Sequence, residues 1–528
     1  MTNPLMQTDI YKIGHMMLYP EGTQYVYETL TPRKNSYFPW NDKMTVFGYE
    51  LFFHRLHERF QKEFFDLPVE EAVDPVVDTI AEVLSQDVAD KVKPQFVKLH
   101  EIGYLPLRVQ ALPEGVLVPM QVPVLTIENT DPDFYWLPGY LETSLLSDTF
   151  VTSTVASTTR QFKVSGYKYA FKAGFMTVTG GDSLSSKFVQ ALKFTDSGKL
   201  LSDIKDVDET INYMDFQFHD FSERGQHGNE AALLSGISHL TSSHGTDIIQ
   251  AVNYVRNNYP DKDNLVGASV LATEHSVMEA YGTDQYKAYE TLLKNNPTGI
   301  LSVVSDTYDY WEVINDVLPA LKDLIMSRDG KLVIRPDSLD DVKQGLIDTL
   351  DSMWDTFGGT VDKNGIKVLD SHIGLLHGEG VSLDNIDEYF EAIINAGYSP
   401  ENIVFGVGAY VYSVQASRDS FGQALKATSV TINGEEKKVF KDPKTVSESF
   451  KKSLKGRVRV VRGDNGYEVQ DDLLSTEVGK DNELKTIYEP SKGKTESLVT
   501  PFEVIRKRID MSAVIEGASK VAKEESNL

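Results

Sequence analysis

Several short apolar runs in this chain end on residues that bind or move phosphate groups. Arg335 and Asp337 close one run, Glu274 and His275 another and Asp306 a third, while Gly378 with Gly380 and Gly406 with Gly408 close two more. An arginine offers a planar fork to a diphosphate, and glycine corners let backbone N–H groups approach phosphate oxygens. Carboxylates beside them suit a magnesium ion shared with a phosphate substrate. Taken singly, each glycine corner reads equally well as a tight strand exit, and Arg335 or Asp337 as half of a surface ion pair. No Gly-x-x-x-x-Gly-Lys-Ser/Thr occurs, and no Gly-x-Gly-x-x-Gly opens a helix after an early strand, so neither a Walker nor a Rossmann nucleotide site has its signature. His-Glu-x-x-His is also missing, which argues against a zinc ion held by the protein alone.

These corners need elements to hold them. Six runs carry them: Phe216-Gln-Phe-His-Asp220, Ala268-Ser-Val-Leu-Ala-Thr-Glu-His275, Leu301-Ser-Val-Val-Ser-Asp306, Leu332-Val-Ile-Arg-Pro-Asp337, Ile373-Gly-Leu-Leu-His-Gly378 and Ile403-Val-Phe-Gly-Val-Gly408. They recur every 30 to 40 residues or so, the length of a βα unit; the first interval is longer, and Gly245-Thr-Asp247 lies in its middle. Helical patterns over 308–326 and 339–354 fall between them, the second opened by the capping sequence Ser338-Leu-Asp-Asp341. Parallel βα repeats present their functional side chains at the carboxyl ends of the strands, so one pocket collects all six corners.

The predicted class is therefore α/β: an irregular β/α barrel over 151–430, beside a second, discontinuous α/β domain built from 1–150 and about 430–528. In that second domain, 24–30, 107–112, 116–118 and 455–461 read as strands, and 49–64 and 70–84 as helices. Residues 165–208, rich in Lys, Gly and Ser, read as an insertion, and the tail after Ile515 as frayed.

The 528 residues exceed what one hydrophobic core usually serves. A formal charge of −26 argues against a broad nucleic-acid surface, because such affinity rests on basic residues, and it makes any anion site local. Without cysteine there is no disulfide, no thiolate metal site and no cysteine nucleophile, which fits a reducing cytoplasm. No apolar run is long enough to span a bilayer, and the first residues lack the pattern of an export signal.

Nine stretches in order carry a resemblance: Thr8-Asp-Ile-Tyr-Lys12, Pro113-Glu-Gly115, Glu128-Asn-Thr-Asp-Pro132, His219-Asp-Phe-Ser-Glu-Arg-Gly225, Gly245-Thr-Asp247, Glu274-His-Ser276, Ser302-Val-Val-Ser-Asp306, Ile334-Arg-Pro-Asp-Ser338 and Phe440-Lys-Asp-Pro443. Together they resemble the nicotinamide phosphoribosyltransferase family of type II phosphoribosyltransferases, from about residue 8 to residue 508, most weakly over 165–208.

The resemblance implies a homodimer with shared active sites that joins nicotinamide to phosphoribosyl pyrophosphate. The products would be nicotinamide mononucleotide and pyrophosphate, with Mg²⁺ carried by the diphosphate. Phe221 and Tyr11 of the partner subunit would sandwich the pyridine ring, with Asp247 accepting from the carboxamide and Arg335 touching base and pyrophosphate. Asp247 also reads as a helix N-cap, since Ile248-Ile-Gln-Ala-Val follows it.

Arg224 would meet the diphosphate, Asp337 and Glu379 the ribose, and Gly378 lies beside them. Gly408, Ala409 and the partner subunit's Arg418 and Lys426 would hold the product phosphate. Arg33, Lys441 and Lys451 would form a basic funnel. His275, oriented by Glu274 and Asp306, matches a histidine that the family phosphorylates with ATP as co-substrate, although a lone histidine after a strand is more often a structural hydrogen-bonder.

The chain departs from the family pattern at Glu379, where the family has Asp, at Leu339 in place of Gly, and at Ala424 in place of Ser. It also carries one extra residue between the Gly406-Val-Gly-Ala-Tyr410 corner and Ser417. Two alternatives stay open: a nicotinate phosphoribosyltransferase, against which Asp247 is the discriminating residue, and a noncatalytic metabolite-binding protein on the same scaffold.

Overall fold

A computed structural model describes residues 3–174, 213–261, 264–414, 416–442, 453–463, 466–491 and 498–526. The chain divides into two compact units, Met1–Ser157 with Tyr259–Asp261 and Gln415–Arg508, and Thr158–Asn258 with Lys262–Val414 and Ile509–Leu528.

The second unit holds a parallel sheet of seven strands, in the order Gly245–Thr246, Phe218–Asp220, Ile403–Val407, Ile373–His377, Leu332–Arg335, Leu301–Val304 and Leu271–Ala272. Leu301–Val304 is buried along its whole length and Ile373–His377 nearly so, as expected of parallel strands covered on both faces. The sheet curls back on itself. Ala268, just before its last strand, bridges Gly245 in its first, with Thr246 N–H donating to Ala268 O at 3.1 Å and Ala268 N–H to His244 O at 2.8 Å. The expected irregular barrel is therefore present, and in-register parallel pairs such as Leu332↔Leu301, Leu375↔Ile403 and His219↔Gly245 bring the carboxyl ends to one rim.

Helices cross between the strands. Val342–Phe357 starts at Asp341, whose carboxylate accepts from Gln344 N–H, and Gln285–Asn295 starts in the same way at Asp284. Leu339 packs its side chain against Gly345 of the helix that follows.

Two expectations need correction. Residues 165–172 continue the helix Glu142–Lys172 instead of beginning an insertion; 175–208 lie outside the described residues. The tail is not frayed: helix Phe502–Ser526 runs through it and buries Ala513, Ala518 and Val521. Gly517 allows close packing, since a Cβ there would lie 2.9 Å from Lys168 N and 2.9 Å from Tyr167 Cβ. Charge pairs line the contact, with Arg160 to Glu516 at 2.7 Å, Lys163 to Asp510 at 2.8 Å and Lys168 to Glu524 at 2.9 Å.

The first unit is built on an antiparallel sheet of six strands, in the order Glu435–Lys438, Ala424–Ile432, Thr23–Thr31, Leu125–Asn129, Leu107–Ala111 and Lys485–Tyr488. Ala424 is buried in it opposite Thr31. Helices Tyr49–Phe60, Val69–Val83 and Gln86–Ile102 and the hairpin Arg457–Gly463/Gly466–Leu473 belong to the same unit. Among the described residues no helix is long and apolar enough to cross a membrane.

Candidate active site

The barrel rim of the second unit collects the polar corners read from the sequence. Asp306 stands two residues past the end of Leu301–Val304, and its buried side chain reaches the next corner, where Oδ2 accepts from Asp337 N–H at 3.1 Å. Its other oxygen, Oδ1, is buried without a hydrogen-bond partner among the described residues. His275 begins the short helix His275–Ala280, and its half-exposed ring lies with Nδ1 3.2 Å from Thr307 Oγ1 and Nε2 3.4 Å from Asp337 Oδ2. Asp306 Oδ1 stands 4.0 Å from Nε2. Glu274, expected to orient the imidazole, instead takes the hydroxyl of Ser276. Thr307 and Asp337 hold the ring in its place.

A second group lies at the seam of the barrel. Asp247 could have been a helix cap, but Thr246 Oγ1 accepts the Ile248 N–H and the Asp247 carboxylate turns elsewhere. Its Oδ1 accepts from His219 Nε2 at 2.9 Å and from Ser269 Oγ at 2.5 Å. Burial alone would raise this carboxyl; the hydrogen bonds from His219 and Ser269, with the charges of His219 and Arg335, outweigh it and hold the group below the usual range. Arg335 ends its strand nearby, its Nε buried without a partner among the described residues. Beneath Asp247, the buried Asp220 accepts Asp247 N–H on its backbone oxygen at 2.8 Å, and burial pushes its carboxyl up to about 6.

The glycines prove to have different tasks. A Cβ at Gly406 would lie 2.0 Å from Phe221 Cε1, and one at Gly378 2.7 Å from Phe221 Cζ, so both give up a side chain to seat the Phe221 ring. Gly408 and Gly380 face open space, and Gly380 has φ +66°. Ala409 packs on Gly225, where a Cβ would meet its own at 2.5 Å, which ties the loop bearing Phe221 and the exposed Arg224 to the Gly408 corner. Just after that corner, Tyr410–Val414 forms a single π-turn. From it the Tyr412 hydroxyl reaches His239 Nδ1 at 2.7 Å, while His239 Nε2 donates to Gly245 O at 2.9 Å, beside Asp247. Glu379 is exposed. His377, two residues before it, is buried edge-on to Tyr389, and burial drives its imidazole down to about 4.

The other expected residues belong to the first unit. Tyr11 is exposed. Arg33 donates through Nε to Gly422 O at 2.7 Å; burial and the charge of Arg418 lower its pKa. Arg418 itself pairs with Asp419 at 3.2 Å. Lys426, expected to face phosphate, reaches Glu142 at 3.3 Å and Leu425 O at 2.7 Å. Lys441 is exposed, and Lys451 lies outside the described residues.

His219, Ser269 and Thr307 had no role in the sequence reading, though His219 and Ser269 stand in runs quoted there, and Asp220 entered it only as the end of a strand. The missing signal was pairing order, which alone sets these side chains beside Asp247 and His275. Among the described residues no group of three or more His, Cys, Asp or Glu side chains is arranged to hold a metal ion.

A curled parallel sheet whose rim carries a half-exposed carboxylate, a seated aromatic ring and a His–Asp pair defines a phosphoribosyltransferase-like barrel. The model of the nicotinate phosphoribosyltransferase (NAPRTase) family matches residues 216–489, and the chain belongs to that family. It is 35% identical to the nicotinamide phosphoribosyltransferase of Acinetobacter baylyi over 516 residues, 92% of this chain and 94% of that protein. To the nicotinamide phosphoribosyltransferase of Xanthomonas campestris pv. campestris it is 29% identical over 505 residues, 92% of this chain and 94% of that one. The crystal structure of nicotinate-nucleotide pyrophosphorylase from Pyrococcus furiosus shares the fold, with a TM-score of 0.52 at 15% identity, covering 100% of this chain and 97% of that one.

Proposed function

We propose that this chain is an enzyme that transfers phosphoribosyl from phosphoribosyl pyrophosphate to the ring nitrogen of nicotinamide, giving nicotinamide mononucleotide and pyrophosphate for NAD salvage. One observation carries the choice of base. Asp247 presents a half-exposed carboxylate held in its charged form at the rim that also bears Phe221, Arg335 and the His275–Asp337 pair. An amide donates to such a group; nicotinate would bring a second negative charge, and like charges in a desolvated site are costly. The name carried by the relatives supports the same reading.

Glycosyl transfer needs no protein nucleophile. Pyrophosphate leaves, the ring nitrogen attacks a ribose with oxocarbenium character, and catalysis is positioning plus electrostatics. Asp337 and Glu379 are the carboxylates assigned to the ribose, Arg224 and Arg335 to the diphosphate, and the open Gly408–Ala409 corner to the product phosphate. Asp306, with an oxygen that has no hydrogen-bond partner among the described residues, and Asp337 are hard donors suited to Mg²⁺, which when bound with the diphosphate would offset the charge of the leaving group.

The reading extends to ATP as co-substrate, with His275 as phosphoryl acceptor; the ring is accessible and oriented by Thr307 and Asp337. It includes a homodimer, for which the exposed apolar Ile10, Tyr11, Met17 and Leu18 provide surface to cover, and a cytoplasmic setting. Product formation from phosphoribosyl pyrophosphate and Mg²⁺ with nicotinamide or nicotinate, with and without ATP, tests it. Mononucleotide from nicotinamide, stimulated by ATP and lost or relaxed toward nicotinate in Asp247→Ala, is the expected result. A preference for nicotinate moves the assignment to the acid-using enzyme, and tight binding without turnover to a binding protein.

A further inference from the structure

Strand Gly245–Thr246, which leads into Asp247, is held from both sides. On one side His219 pairs with Gly245 in parallel register, so His219 and Asp247, two residues further on, are diagonal neighbours on one face of the sheet. On the other side Ala268 bridges Gly245 where the barrel closes, and that bridge brings up the next residue, Ser269. Both neighbours deliver a donor to the same atom: His219 Nε2 and Ser269 Oγ lie 2.9 and 2.5 Å from Asp247 Oδ1. The second oxygen, Oδ2, makes no hydrogen bond among the described residues, and the side chain is 55% exposed. Gly245 makes the arrangement feasible, since a Cβ there would lie 3.0 Å from His219 Nδ1.

We propose that His219 and Ser269 are positioning residues for base selectivity: they clamp Asp247 by one oxygen and leave the other as a fixed acceptor for the carboxamide. The proposal rests on the reading above and deepens it. Two donors on one oxygen stop the carboxylate from turning and favour its charged form. A primary amide then meets an acceptor it can donate to, whereas an acid meets an acceptor with an acceptor. Without the clamp the side chain is free to swing away from the base or to take a proton, and the penalty against the acid shrinks. The closure of the barrel thus performs a chemical task, because Ser269 reaches Asp247 only through the Gly245–Ala268 bridge.

Steady-state kinetics on the full chain test this with His219→Ala, His219→Gln and Ser269→Ala, each base being varied at saturating phosphoribosyl pyrophosphate. Loss of either donor raises the nicotinamide KM about tenfold, the size of one hydrogen bond to a charged group, and lowers the preference for nicotinamide over nicotinate. The KM for phosphoribosyl pyrophosphate stays as in the wild type, and His219→Gln, which keeps a terminal N–H donor, recovers part of the loss. An unchanged nicotinamide KM in both Ala variants overturns the proposal, as does an equal loss for both bases accompanied by a shifted KM for phosphoribosyl pyrophosphate. A wild type that uses neither base overturns the functional reading itself, and the clamp with it.

Discussion

Replacing Gly406 by alanine separates two explanations of a glycine corner. If Gly406 exists to let phosphate approach the backbone, Gly406→Ala weakens phosphoribosyl pyrophosphate. The structure gives it another purpose: the new Cβ would lie 2.0 Å from Phe221 Cε1 and 2.3 Å from Cζ, and 3.1 Å from Gly378 Cα. Carbon atoms pack at about 3.5 Å or more, so the ring must retreat by roughly 1.5 Å. Overpacking of that kind costs about 2 kcal/mol, and if it appears as lost stacking on the base it is roughly thirtyfold in KM.

The expected outcome is a nicotinamide KM raised by that order with the KM for phosphoribosyl pyrophosphate unchanged. Gly408→Ala, whose Cβ meets nothing within 4 Å, should leave the nicotinamide KM alone. A double-mutant cycle sharpens the test. In a Phe221→Ala background, Gly406→Ala should cost much less, because the ring atoms it collides with are gone and only the 3.1 Å approach to Gly378 Cα is left. A rise confined to phosphoribosyl pyrophosphate, or full additivity in the cycle, would refute the ring-seat reasoning.

Three further outcomes follow from other parts of the fold. Burial raises the folded-state pKa of Asp220 to about 6, above its unfolded value, so the folded chain binds the extra proton and stability falls as pH rises from about 4 to about 6. Asp220→Asn should remove about 3 kcal/mol of that pH dependence, read as the difference between wild-type and variant denaturant midpoints across the window. Glu516→Gln removes the carboxylate charge that faces the buried Arg160 at 2.7 Å and should cost about 2 kcal/mol in thermal unfolding; no change would mean that this charge pair does not help to hold the terminal helix. His275→Ala should abolish any ATP stimulation while leaving nicotinamide binding measurable by calorimetry, and persistence of the stimulation would remove His275 from the phosphoryl step.

Much of this molecule was legible in its residues. Runs such as Leu301-Ser-Val-Val304 and Leu332-Val-Ile334 announce buried parallel strands because their faces alternate little in polarity, and Asp341 announces a helix start because its carboxylate satisfies a free N–H. That Asp306, Arg335 and Asp337 should share one rim followed from the βα rhythm, whereas the place of Asp247 there was implied by the family resemblance. The tail after Ile515, which reads as frayed, misled, because its order comes from Gly517 packing on 167–168 and from charges on a distant helix.

Only the tertiary structure decided which neighbour each rim residue meets. Strand 403–407 lies beside 218–220, and Ala268 returns to Gly245, pairings between segments that no local pattern connects. From that order come the double hold on Asp247 Oδ1, the approach of Asp337 in place of Glu274 to His275, and the use of Gly378 and Gly406 as the seat of a ring. Chain-local chemistry selects which groups stand at the ends of strands; hydrogen bonding across the sheet selects their partners, and a side chain's charge and direction are set by its partners.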